Sequence, residues 1–472
     1  MFLLLIYIIF SLLISRLILK ADIFNIASLA LISYWAAYPF ERLEINNQIL
    51  FEEINGIKEK GVILFGIFGF AFLLGVFLIT KTKIKKVKLS PIINSKNNLF
   101  FISIFLGIIG LLCFSYTYNF DFKEYFYLTS NLSRPERTAL LSKSSNALPY
   151  SIFFIPSITT LILAIRKFGI FSSFSNSFFV LFTCLINLPI LFSYIIEGDR
   201  SALIKFGVVA LFSLGLKNSS IEKINEKRYL IENFRINKKV LINRIKIIIL
   251  LIALFFMLTF IAINRNNDWR NSTQIFSNIT KFSNAEFRHV NYSIDFALVR
   301  NELGITKTDK MFTWDKIIFY PLPTYVYKNL FNEKKPPNIG AAIGIETKNY
   351  VYGYESKRKG KEMGISLSPI AEGFINFGYF GVFFIGFFYG LSIGILQFLY
   401  NKISLERISL IDIIVLNTLG IVPLIMRAGS AGIYNWIFSS SFVILLPLLI
   451  IDILRRNFFQ RILNIQKNEI KR

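Results

Sequence analysis

The chain has little of what soluble catalysis commonly relies on. Its 472 residues include one histidine and two cysteines, so neither a paired-histidine metal motif nor a CxxC pair is available. Cys113 and Cys184 both lie inside apolar runs, without metal-ligand spacing or an exposed disulfide partner, and read as packing residues. No glycine-rich nucleotide loop occurs and no Asp-x-Asp pair accompanies Arg200, so neither a cofactor nor a metal is expected. Acidic residues are scarce, 29 against 53 Lys and Arg, for a formal charge of +24. In a soluble protein that excess would point to nucleic acid. Here the bases cluster in short loops between apolar runs, where positive charge sets membrane topology, which argues against a nucleic-acid partner. The start of the chain lacks a basic n-region and a small-residue cleavage site, so run 2–19 reads as a retained first span. No repeat of fixed period is evident.

Apolar residues are what the chain has in quantity, 54% hydrophobic with 16% aromatic. Runs 2–19, 61–80, 100–118 and 247–263 are each about long enough to cross ~30 Å of hydrocarbon as helices. The expectation is an all-α polytopic membrane protein, one integral domain over 1–472, with a large polar loop at 265–368 between spans. Loop 81–96 carries Lys81, Lys83, Lys85, Lys86, Lys88 and Lys96 without an acidic residue, which marks it as cytoplasmic. The basic stretches 217–246 and 455–472 fall on the same side if about eleven transmembrane helices start from an outside N-terminus. The corresponding spans are 2–19, 22–40, 61–80, 98–118, 151–165, 169–196, 201–216, 246–264, 374–400, 408–426 and 431–452. The short fifth and long sixth invite a broken or tilted helix.

The face opposite the basic loops holds the candidate residues. Glu197-Gly198-Asp199-Arg200-Ser201 is an ionic cluster between two lipid-length segments, where charge is costly unless paired or facing a polar cavity. A helix starting there points its free N–H groups and positive dipole end outward beside Arg200, which suits a phosphate. The plainer alternative is that Asp199 or Ser201 caps the helix while Arg200 pairs with Glu197. Arg427-Ala428-Gly429-Ser430 places a second arginine at the end of the tenth span, either completing a diphosphate clamp or anchoring the helix at the interface.

Ser368-Pro369 is a good helix start, and Glu372 then falls one residue past the capping-box position. Its carboxylate is a candidate for accepting a substrate proton or binding sugar hydroxyls, with pairing to an arginine as the alternative. Downstream, Gly386, Gly390 and Gly394 recur every four residues and predict close helix packing. Within the long loop, Trp269, Arg270, Arg288, Trp314, Tyr320, Tyr325, Tyr327, Tyr350, Tyr352 and Tyr354 suit stacking on sugar rings. They equally suit packing or an interfacial helix, and 314–331 reads as such a helix interrupted at Pro321 and Pro323. His289, beside Arg288, is the sole imidazole base, either catalytic or incidental.

Three motifs resemble a known family: the Gly198-Asp199-Arg200-Ser201 turn, the run Ser-Pro-x-Ala-Glu-x-x-x-Asn-Phe-Gly-x-x-Gly from Ser368 to Gly381, and the Arg427-Ala428-Gly429-Ser430 turn. Together they look like bacterial oligosaccharide repeat-unit polymerases of the Wzy (O-antigen polymerase) type, over the chain from the sixth span onward. The resemblance implies a GT-C-related glycosyltransferase of the bacterial inner membrane. Such an enzyme joins undecaprenyl-diphosphate-linked oligosaccharides into O-antigen or a related surface polysaccharide at the periplasmic face. In that reading Arg200, Arg427 and Arg288 hold the diphosphate, Glu372 and His289 are the catalytic candidates, and Trp269, Trp314 and Asn376 contact the glycan. Arg200, Arg427 and Glu372 match the family pattern, whereas His289 has no firm counterpart. The implied partners are the lipid-linked oligosaccharide, the bilayer, a chain-length regulator and a flippase. An O-antigen ligase using the same donor, or a lipid-linked oligosaccharide flippase or other transporter, stays open from these residues.

Overall fold

A computed structural model describes residues 26–36, 57–81, 96–118, 120–121, 123, 125, 150–169, 173–196, 200–216, 290, 293–295, 297–298, 301, 324–333, 368–406, 408–426, 429–430, 432–434, 436–439, 441, 443–445 and 447. Among them the elements are helical: α1 (Ile26–Ala36), α2 (Ile57–Lys81), α3 (Lys96–Thr117), α4 (Ser151–Phe168), α5 (Phe174–Ile196), α6 (Arg200–Gly215), α7 (Thr324–Phe331), α8 (Pro369–Tyr400) and α9 (Leu410–Leu419), followed by a 3-10 turn at Val422–Leu424. Within them, segments Glu59–Thr80, Asn98–Thr117, Phe174–Tyr194 and Pro369–Tyr400 are long and apolar enough to cross a membrane. The outward face of α5 bears Phe174, Phe178, Leu181, Leu185 and Phe192 exposed, as expected where lipid replaces water. This is the character of an all-α membrane protein. The segments expected as the first and eighth spans lie outside the described residues.

Small residues let the helices approach closely. A Cβ on Gly386 would stand 2.7 Å from the Phe68 carbonyl, one on Gly394 would stand 2.8 Å from Ile79 Cβ, and one on Gly390 would collide with the Phe72 carbonyl. The predicted glycine stripe is therefore the seam between α2 and α8. Because 68, 72 and 79 advance with 386, 390 and 394, the two helices run in the same direction. Paired hydroxyls at Ser103 and Ser157, 2.7 Å from each other's carbonyls, join α3 to an antiparallel α4. Phe100 stacks on Phe179 with ring centroids 5.3 Å apart, and Gly107 faces Ile186 and Asn187, so α3 and α5 are parallel.

One end of the bundle is tied by polar contacts to helix termini. The Arg166 guanidinium donates to the carbonyls of Ser213 at 3.3 Å, Leu214, and Leu216 at 2.6 Å, satisfying acceptors left open where α6 ends. Gln397 Oε1 accepts from the Ile26 amide at 2.7 Å, which answers a free donor at the start of α1. At the other end, Ser33 Oγ donates to the Pro423 carbonyl at 2.7 Å.

The helix α8 is not straight. Phe377 (φ −143, ψ 23) and Gly378 (φ 61, ψ −146) leave helical conformation and divide it into a short arm, 369–376, and a long arm, 379–400. Gly378 occupies a left-handed region that a side chain strongly disfavours. The sequence places the start of span nine at 374, so the bend falls inside it. A second departure concerns the cysteines: Cys113 is half-buried but Cys184 is exposed on the outer surface of α5, so only the first is a packing residue. In the stretch expected to be interfacial, α7 starts at Thr324, directly after Pro323, with Tyr327 buried and Leu330 exposed.

Candidate functional site

The short arm of α8 starts as its sequence dictates. Ser368 is extended (φ −77, ψ 150), its hydroxyl accepts from the Ala371 amide, and Pro369 occupies a first-turn position that needs no donor. The arm is deeply buried at its start, with Ser368, Ile370 and Ala371 all 0% exposed. Ser368 is also held by a distant segment. The Ser293 hydroxyl donates to the Val290 carbonyl at 2.7 Å, accepts from the Ser368 amide at 3.2 Å, and lies 3.2 Å from Ser368 Oγ. Val290 directly follows His289, so the chain leaving the predicted Arg288-His289 pair is docked on the helix start that carries Glu372.

One turn on, Glu372 is 1% exposed. Its Oε2 accepts from the Ser430 backbone amide at 2.6 Å, and its Oε1 accepts from the Ser430 hydroxyl. The acidic residue of one predicted motif is thus bonded to Ser430, the last residue of another, which is helical. Asn376 donates from Nδ2 to the Glu372 carbonyl at 2.8 Å, a bond within the arm that answers an acceptor near the bend.

Arg200 is the first residue of α6, so the predicted helix start falls where the ionic cluster placed it. The first turn of α6 is embedded in aromatic packing: Ala202 and Leu203 belong to a buried cluster with Phe114, Tyr118, Tyr125, Phe154, Tyr194, Ile421 and Leu424. Tyr118 and Tyr125 meet edge to face with centroids 4.7 Å apart, and Tyr150 stacks on Tyr194 at 5.8 Å. α6 also touches the Val422–Leu424 turn. Arg427, Arg288, His289, Trp269 and Trp314 themselves lie outside the described residues.

Sequence reading missed a cation here. Lys205, on the otherwise apolar α6, places Nζ 4.2 Å from the centroid of the Trp436 ring. The indole N–H of Trp436 donates to the Asn417 carbonyl at 3.3 Å, and Thr159 Oγ1 donates to Asn417 Oδ1 at 2.6 Å. The signal was available, because an ionisable residue within a lipid-length helix marks function or pairing by default. Among the described residues no group of three or more His, Cys, Asp or Glu side chains is arranged to hold a metal.

Comparison with known proteins finds no matching family model, no matching curated protein and no matching solved structure.

Proposed function

We propose that the protein polymerises undecaprenyl-diphosphate-linked oligosaccharide repeat units into O-antigen or a related surface polysaccharide. The enzyme sits in the bacterial inner membrane and works at the periplasmic face. The observation that carries the reading is that Glu372 is bonded to Ser430, the last residue of the Arg427-Ala428-Gly429-Ser430 motif, while Ser293, four residues after His289, is bonded to Ser368 at the start of the same helix. A family resemblance in three short motifs gains weight when residues of two of them are bonded to each other.

The chemistry follows from the bond that breaks. The donor's anomeric carbon leaves its diphosphate, which departs with the electron pair, while a hydroxyl oxygen of the acceptor sugar forms the new glycosidic bond and gives up its proton. Negative charge grows on the leaving diphosphate. Arg200, at the positive end of the α6 dipole, and Arg427 supply fixed charge for it, with Arg288 as a third contact. His289 and Glu372 are the groups for the acceptor's proton, and Trp269, Trp314 and Asn376 line the glycan. Both substrates are tethered in the bilayer by their lipids, so a shared groove turns their encounter into a positioned reaction. Neither a nucleotide sugar nor a metal enters this scheme.

Replacing Arg200 by alanine tests the reading in cells. With normal membrane insertion of the variant, the surface glycan should fall to single repeat units. A full-length ladder would contradict the assignment, and loss of even the single-unit product would identify a ligase instead.

A further inference from the structure

We infer that Lys205, Asn417 and the ring of Trp436 form a binding site for a phosphoryl oxyanion, inside the bundle and beyond the first turn of α6. The inference goes further than the polymerase reading, since the same chemistry takes a free phosphate or the headgroup of a phosphorylated lipid.

The charge comes from Lys205, which lies about 7.5 Å along α6 from Arg200. An ammonium in a helix of this kind is costly unless it is paired or faces a polar cavity. Lys205 is half-buried, with Nζ 4.2 Å from the centroid of the Trp436 ring. The ring face stabilises the charge, yet the ammonium carries three donors and no acceptor. Trp436 is itself fixed, because its indole N–H donates to the Asn417 carbonyl at 3.3 Å. A Cβ on Gly420 would stand 3.3 Å both from that carbonyl oxygen and from Lys205 Cβ, so Lys205 and Asn417 flank one contact between α6 and the end of α9.

An unspent donor comes from Asn417, which is 0% exposed. Its Oδ1 accepts from Thr159 Oγ1 of α4 at 2.6 Å, whereas among the described residues its Nδ2 meets no acceptor. With Oδ1 turned to α4, the two N–H groups of Nδ2 point away from that helix. A buried amide nitrogen in this state has lost its hydration with nothing in return. An ammonium and an amide thus bring donors to one junction of helices. Only an acceptor satisfies both, and a negatively charged one also offsets the lysine. A phosphoryl group fits, because its several oxygens can take the ammonium and the amide at once. A cation would meet only donors.

The test follows Trp436 emission in the full chain, with Trp35, Trp269 and Trp314 replaced by phenylalanine, in nanodiscs of phosphatidylcholine. The probes are inorganic pyrophosphate and, separately, undecaprenyl phosphate. At least one should change the emission saturably. Lys205→Met and Asn417→Asp should each weaken that binding by about tenfold or more, while Lys205→Arg keeps it within about threefold. If the aspartate variant does not fold, Asn417→Ala deletes the same donor without adding charge. A response to pyrophosphate assigns the site to an anion that enters from water, and a response to undecaprenyl phosphate alone assigns it to a lipid headgroup. An emission that neither probe moves, in protein folded by circular dichroism, overturns the inference, since a lone water or a purely structural cation–π contact gives that result. Saturable binding that Lys205→Met leaves unchanged overturns it as well. Polymer formation plays no part in these titrations, so the site can stand where the polymerase reading fails, and fail where that reading stands.

Discussion

Gly373 and Gly381 are in contact across the bend of α8, with the carbonyl of each lying where the other's Cβ would be. In a straight helix eight residues would separate them by about 12 Å along the axis. The chain instead doubles back at Phe377 and Gly378, and this brings a buried short arm, with Ser368 and Glu372, against Ser293 and Ser430. The fold-back is the device that assembles the candidate site.

A methyl group at position 381 has nowhere to go, because the neighbouring atom is backbone. Gly381→Ala is expected to destabilise the protein by about 1–3 kcal/mol, the usual cost of overpacking. Detergent unfolding followed by circular dichroism measures this, and cross-linking of Ser293 to Ser368 as a cysteine pair reports whether the arm has moved.

Gly378 poses the opposite case. A Cβ there would meet no atom within 4 Å, yet its φ of 61 with ψ −146 is strained for any side chain. Gly378→Ala should therefore cost about 1–3 kcal/mol through the backbone alone. Reducing the size of neighbouring Phe377 should not rescue it, and rescue by that route would show crowding to be the cause.

The α2–α8 seam separates a required glycine from a dispensable one. Gly390→Leu should push α8 away from the Phe72 carbonyl and lower the unfolding midpoint, whereas Gly66, exposed on α2 with nothing within 4 Å, should accept alanine. The favourable helix propensity of alanine gives Gly66→Ala a gain of up to about 1 kcal/mol. Parallel unfolding curves of both variants check the contrast.

Thr159 and Asn417 join α4 to α9 through a buried bond of 2.6 Å. A double-mutant cycle with Thr159→Val and Asn417→Leu is expected to give a coupling of about 0.6 kcal/mol, the mean for bonds between membrane helices. Strict additivity of the two changes in unfolding free energy would remove this contact from the account.

Much of the framework could be read from the chain because each element is specified locally. Lipid-length runs at 61–80 and 98–118 correspond to α2 and α3, Ser368-Pro369 to a capped helix start, and the glycines at 386, 390 and 394 to a packing seam. The bend is hidden in the sequence because apolar residues continue through it, and in a straight helix Gly373 and Gly381 carry no special relation. The bond from Glu372 to Ser430 spans 58 positions and depends on tertiary packing that no local pattern encodes. Lys205 escapes notice for a different reason: one lysine among apolar residues does not disturb the reading of a span.

Reconstitution tests the central claim most directly. The purified protein, in proteoliposomes with undecaprenyl-diphosphate-linked repeat units and no nucleotide sugar, should produce a ladder of products that differ by one repeat, and the Arg200→Ala protein should produce none. A protein that is folded by circular dichroism and inserted, yet leaves the repeat units unjoined, or joins sugars only when a nucleotide donor is added, would contradict it.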